Sequence, residues 1–270
     1  MFQLSPPEIF ASGVEHTLFI GFRPLLVRSH HRLHISLTHC FTCQILKAFI
    51  LRKATFLAEN SWVEIPFQHH LAAPLQSFLG VAACIPGILE RVDVSIHNPH
   101  NATIESAQDR IIELIDAEAR LEDWYCSYLR SASTPLYWRR TIEADIESNR
   151  DLLWFQDLST GNALTYFWAF RLICLTTAQN LLERYPELEQ SVHNTTYDAK
   201  ELREICIELS IKIYQSMEYI LQDDFMLYGV SSAGFPLQAA CRALALDAKG
   251  RTILKSLDHT IINRSMIKDV

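Results

Sequence analysis

Glycine is scarce in this chain, 8 residues in 270, less than half the usual share of about 7%. Sandwiches, barrels and doubly wound sheets use glycine in their turns and phosphate loops. No G-x-G and no G-x-x-x-x-G-K-[ST] occurs anywhere in the sequence. The shortage therefore points to a helical protein without a nucleotide-binding loop. Apolar residues make up 49% and charged residues 20%, enough to bury a core and too apolar for a disordered chain.

The apolar spacing agrees. From Pro74 it runs Leu75, Phe78, Leu79, Ala82, Ile85, Ile88 and Leu89, with Pro86 expected as a kink. A turn at Asn98-Pro99 follows. An amphipathic helix then carries Ile104, Ala107, Ile111, Leu114, Ile115, Leu121, Trp124, Tyr125, Tyr128 and Leu129 on one face. Ser131 to Pro135 breaks it, and the stretch to about Leu158 has no clear period. Residues 163–184 are apolar on nearly every side, as a central buried helix would be, and Pro186 ends them. A second long helix is expected from Tyr197 to Asp223. After a loop at Gly229–Gly234, Pro236 is expected to start a shorter helix to Ala248. Gly250 is read as the break before a last helix from Thr252 to about Ile262. The expected fold is all-α, an irregular bundle of roughly 7–9 helices without a substantial sheet. One helical domain, 45–270, follows a poorly defined segment, 1–44.

Charge is uneven. Residues 1–60 carry 6 Lys/Arg against 3 Asp/Glu, and the other 210 carry 18 against 28. An acidic body is a poor binder of phosphate backbones, which need Lys and Arg. Seven cysteines, an odd number, stand mostly in apolar helical stretches and read as buried thiols of a reducing compartment. The first residues lack a basic-then-apolar secretory pattern. The longest apolar stretch, Ala163 to Cys174, is short for a membrane span and contains Arg171. The expectation is a protein that is neither secreted nor membrane-spanning.

Several constellations invite a chemical reading. His30, His31, His34, His39, Cys40 and Cys43 crowd into fourteen residues and include a C-x-x-C. Zinc would ask for a second ligand pair, and a redox dithiol for an α/β setting; neither follows. Gly229-Val-Ser-Ser-Ala-Gly234 is one residue too long for the G-x-S-x-G elbow and has no strand before it. Asp223-Asp224 lacks the third acidic residue of a diphosphate-binding motif and reads as an exposed helix end. His69-His70 reads as solvated. Trp62, Trp124, Trp138, Trp154 and Trp168 read as core or half-core anchors. No catalytic residue, cofactor or metal is assigned.

The stretch Arg52-Lys-Ala-Thr-Phe-Leu-Ala-Glu-Asn-Ser-Trp62, then Ile65-Pro66 and Ile85-Pro-Gly-Ile-Leu89, resembles the C-terminal part of the regulatory region of fungal binuclear zinc-cluster transcription factors. Leu114 to Trp124, Leu164-Thr-Tyr-Phe-Trp168, Ile205-Cys206 with Ser216-Met-Glu-Tyr-Ile-Leu221, and Phe235-Pro-Leu-Gln-Ala-Ala240 are similar to further helices of that region, in the same order. The motif residues that carry the resemblance are Phe56, Leu57, Trp62, Pro66, Pro86, Trp124, Trp168, Cys206, Tyr219 and Pro236, as structural positions. The resemblance implies a helical bundle, a nuclear location (otherwise cytoplasmic), and a non-enzymatic role in transcription regulation through protein partners. It also makes control of a secondary-metabolite gene cluster an expectation.

The six-cysteine DNA-binding module, which opens C-x₂-C-x₆-C, is not matched by any cysteine spacing here. No direct nucleic-acid binding is expected. The chain is read as a truncated product or a stand-alone relative of such regulators. Residues 27–44 contain no acidic residue in eighteen, and their end codons are compatible with splice signals. They are read as a retained intron whose removal would join Gly21–Leu26 to Ile45–Ile50 in one helical pattern. The competing reading is a small helical enzyme or small-molecule-binding protein of a fungal biosynthetic pathway. A closed pocket with buried Glu, His or Arg would favour it; a solid bundle would favour the regulatory one.

Overall fold

The computed structural model describes residues 42–64, 72–97, 103–141, 151–188, 199–246 and 248–256. The elements in chain order are α1 (42–51), a 3-10 turn at Phe56–Ala58, α2 (Asn60–Glu64), α3 (Pro74–Ala82), α4 (Ile85–His97), α5 (Ile104–Ser131), β1 (Tyr137–Thr141), β2 (Asp151–Phe155), α6 (Leu158–Arg184), α7 (Ala199–Ile220), a 3-10 turn at Asp223–Phe225, α8 (Met226–Leu246) and α9 (Ala248–Ser256). Helix accounts for 83% of the interpretable residues, so the protein is an all-α, irregular bundle as expected. His30, His31, His34, His39, Cys40, Pro66, His69, His70 and nearly all of 27–44 lie outside the described residues. So does the end expected for the last helix.

Helix α6 is the axle of the bundle. Asp157 caps it, its carboxylate accepting from the Thr160 amide at 2.7 Å. Buried residues then occupy every face, from Ala163 through Phe170 and on to Leu182. Helices α3, α5, α7 and α8 pack around it. Phe49 of α1 stacks on Phe170 at 3.9 Å, and Phe235 of α8 meets the same ring edge-on at 5.3 Å. Trp124 of α5 lies against Phe78, Tyr128 and Phe167. Its indole N–H donates to the Ser77 hydroxyl at 3.2 Å. A buried Trp is stable when both its ring and its N–H are answered in this way.

The segment without a clear period contains a small antiparallel hairpin. Tyr137 faces Phe155 and Thr141 faces Asp151 across it. Leu152, Leu153 and Phe155 are buried, while on β1 Arg139 pairs with Asp151 and Arg140 lies over the Trp154 ring at 4.7 Å. Two five-residue strands, one carrying consecutive arginines, present too little alternation to be read from sequence.

Five expectations are corrected. Pro86 is not a kink inside one helix: residues 83–84 form a turn, and Pro86 sits in the first turn of α4, where a missing N–H is no loss. Residues 229–234 are not a loop, and Pro236 lies inside α8 rather than at its start. Gly229 permits this, because a Cβ there would fall 2.2 Å from the Ile220 carbonyl oxygen. Gly250 lies within α9, where a Cβ would fall 2.4 Å from the Leu244 carbonyl; both glycines serve close helix-to-backbone approach. Ile104 and Leu129 are each 48% exposed, because α5 overhangs the core at both ends. Trp62 and Trp138 are exposed, not core anchors.

Candidate functional site

The apolar period of α8 continues past what its neighbours cover. Phe235, Gln238, Ala239, Arg242, Ala243 and Leu246 recur at steps of three and four, which places them on one face. On α6, Leu172, Ile173, Thr176, Thr177 and Asn180 do the same. These two faces form the walls of a groove of about 460 Å³, with Phe49, Ile50 and Arg52 of α1 and Leu89 of α4 closing one side. The volume lies within the range of small-molecule pockets, roughly 300–1,000 Å³.

Polar groups in the groove differ in what they already hold. Thr177 donates to the Ile173 carbonyl at 2.6 Å, and Thr176 is likewise turned back onto its own helix. Arg52 forks onto Asp93 with contacts of 2.7 and 2.8 Å, at a backbone φ of 50° that ends α1 in the left-handed region. Arg242, by contrast, forms no ion pair among the described residues. Of the two arginines that line the groove, Arg242 is thus the one without an ion pair among the described residues.

A second, more polar cleft of about 410 Å³ lies between α4 and α5 and the turn after α1. Within it Arg91 pairs with Glu113 at 3.2 Å, and Arg120 donates to the Cys84 sulfur at 3.3 Å.

Among the described residues, a cluster of charged side chains stands between α5 and α6. Arg171 of α6 donates from Nε to Oε1 of Glu118 at 2.7 Å, and its Nη1 lies 2.6 Å from Glu122 Oε2. The Glu118 side chain is 3% exposed and that of Arg171 13%. This is the interior polar group that would favour an enzyme, but neither groove includes it among its walls. Cys174 and Cys206 lie in its electrostatic reach. Burial pushes the Cys206 thiol up to about 12 and the Cys174 thiol also upward, so both stay protonated. Asn162, buried near the start of α6, has neither side-chain atom hydrogen bonded among the described residues.

The motif residues named from sequence are dispersed through the packing. Leu57, Pro86, Trp124, Trp168, Cys206, Tyr219 and Pro236 are buried. Trp168 and Tyr219 both rest on Phe155, at 6.4 and 5.3 Å. Phe56 and Trp62 meet edge-on at 5.3 Å on the surface. Pro66 lies outside the described residues. Cys43 is half-buried in α1, and no group of three or more His, Cys, Asp or Glu that could hold a metal occurs among the described residues. No described helix is long and apolar enough to cross a membrane. Asp223 and Asp224 are exposed in their 3-10 turn.

Arg52, Leu89, Phe235, Gln238 and Ala239 stand in motifs read from the sequence, but nothing there joins them to Arg242 or to α6 as one groove. Compared with protein-family models, with curated proteins and with solved structures, the chain matches none.

Proposed function

We propose that the protein is a non-enzymatic interaction domain of transcription regulation, nuclear, acting through protein partners and without direct DNA contact, and linked to a secondary-metabolite gene cluster. The observation that carries the interaction reading is the turn into α8. Met226, Leu227 and Tyr228 are 75%, 67% and 48% exposed in succession, and Met226 holds a φ of 48°. Three consecutive large apolar side chains exposed at one turn offer an apolar surface to a partner. The non-enzymatic half of the reading is supported by the state of the interior groups. Glu118 is engaged by Arg171, and the Cys174 and Cys206 thiols are held in the protonated, unreactive form.

The test is a reporter assay with the whole chain fused to a heterologous DNA-binding module. Expected is a change in reporter output that disappears when Met226, Leu227 and Tyr228 are replaced together by Ser, with unchanged circular dichroism. Output equal to that of the DNA-binding module alone would overturn the reading.

A further inference from the structure

The groove between α6 and α8 has the composition of a ligand site rather than of a packing defect. Its floor contains Phe49 and Phe235, which belong to the stacked set around Phe170. Aromatic contacts on several sides fix those rings, so the floor is formed before any ligand arrives. Its rim carries Gln238 and Asn180, whose amides make no hydrogen bond among the described residues, and Arg242, which makes no ion pair there. Arg52, the other arginine of the groove, is consumed by its fork onto Asp93. Charge complementarity therefore selects the occupant at one point: an anion at Arg242, with the remainder of the ligand apolar. From Phe235 to Arg242 the helix rises roughly 10 Å, a length that a chain of about eight to ten carbons would span.

We propose that this groove binds a small anionic amphiphile, an aliphatic carboxylate whose chain lies along Phe235, Ala239 and Ala243 and whose carboxylate is held by Arg242. The guanidinium supplies two parallel N–H donors to a carboxylate, and burial of the chain supplies most of the affinity. Along α8 from Tyr228, Phe235 at the near end of the groove stands about 10 Å away and Arg242 about 20 Å, so ligand binding and the proposed protein contact can be assayed separately.

The test titrates the whole chain with decanoate and with 1-decanol by calorimetry, alongside Arg242→Gln, Arg242→Glu and Ala243→Trp. Arg242 is exposed, so its variants fold; Ala243→Trp fills the groove and is checked by circular dichroism. Expected is one decanoate site that weakens about tenfold or more in Arg242→Gln, further in Arg242→Glu, and is lost in Ala243→Trp. Decanol should bind about as tightly as decanoate binds Arg242→Gln, and with equal affinity to wild type and both Arg242 variants. Absence of decanoate binding, or binding indifferent to Arg242 or to Ala243→Trp, would overturn the proposal. So would hydrogen-exchange protection of α6 and α8 by an acidic amphipathic peptide in a chain that ignores decanoate, which would assign the groove to a protein partner.

Discussion

Arg171 and Glu118 meet between the two longest helices of the bundle, Nε to Oε1 at 2.7 Å, with both side chains inside the core. Truncating one partner leaves the other charged in an apolar setting. Arg171→Met should therefore destabilise the protein by about 3–5 kcal/mol. Arg171→Met combined with Glu118→Leu and Glu122→Gln should recover most of that loss, because no buried charge is then stranded. Urea unfolding of the single and combined variants reads the difference, and equal losses in both would contradict it.

Two glycines of α8 predict opposite responses to the same substitution. At Gly229 a Cβ would lie 2.2 Å from the Ile220 carbonyl oxygen, a backbone atom that cannot swing aside. Gly229→Ala should cost about 1–3 kcal/mol as an overpacking change. At Gly234 nothing lies within 4 Å of the added carbon, and its φ is not positive. Gly234→Ala should stabilise by about 0.5–1 kcal/mol, the helix-interior advantage of Ala. Thermal midpoints moving in the same direction would refute the pairing.

Alkaline pH should weaken the fold through its thiols. Burial raises the Cys206 pKa from 9.0 to about 12, and Cys174 moves the same way. Between those values the unfolded thiol loses a proton that the folded one keeps, so the unfolded chain is favoured as pH rises. Stability is complete below about pH 9 and falls above it, with a slope approaching 1.4 kcal/mol per pH unit for each such group (about one RT ln 10). Cys206→Ala should flatten that slope. At pH 8 an aromatic disulfide reagent should label exposed Cys126 at once and reach Cys174 and Cys206 only on unfolding; immediate labelling of the buried pair would count against their burial.

Asn162 offers a gain. It is 1% exposed, and both polar atoms of its side chain lack a partner among the described residues. Asn162→Leu, which keeps the branched heavy-atom shape, should raise stability by about 1 kcal/mol, since it removes an uncompensated desolvation cost. A fall in the urea midpoint would show that the amide is engaged.

The parts of this fold that were legible in sequence are those with a long, undisturbed apolar period. Helix α6 was expected from 163–184 and runs Leu158–Arg184, because its composition leaves no other way to bury so many apolar faces. Ala107, Ile111, Leu114, Leu121 and Trp124 of α5 are expected in the core and are buried there. The illegible parts are tertiary in origin. Glycine and proline usually interrupt helices, so Gly229, Gly234 and Pro236 read as a loop and a helix start. Only the proximity of Ile220 explains why a continuous helix keeps Gly229. Nothing local distinguishes Glu118 from Glu113 or Glu122; Arg171, fifty-three residues on, decides its placement. The groove was missed for the same reason. Each of its walls is an ordinary amphipathic face, and the gap between them is a property of neither.

A helix that is apolar all the way round raises a question of orientation. Hydrophobic burial holds such a rod in place but is nearly indifferent to its angle about its own axis. Arg171 is the charged residue between Leu158 and Asn180 on α6, and its tether to α5 acts like a key in a shaft. Any rotation that kept the greasy contacts would still pull the guanidinium off Glu118. The groove beside α8 inherits its shape from that setting, since Leu172, Ile173 and Thr176 follow Arg171 on the same rod. The combined variant Arg171→Met, Glu118→Leu and Glu122→Gln, which removes the key without stranding a charge, should keep most of its bulk stability yet display multiple sets of α6 resonances.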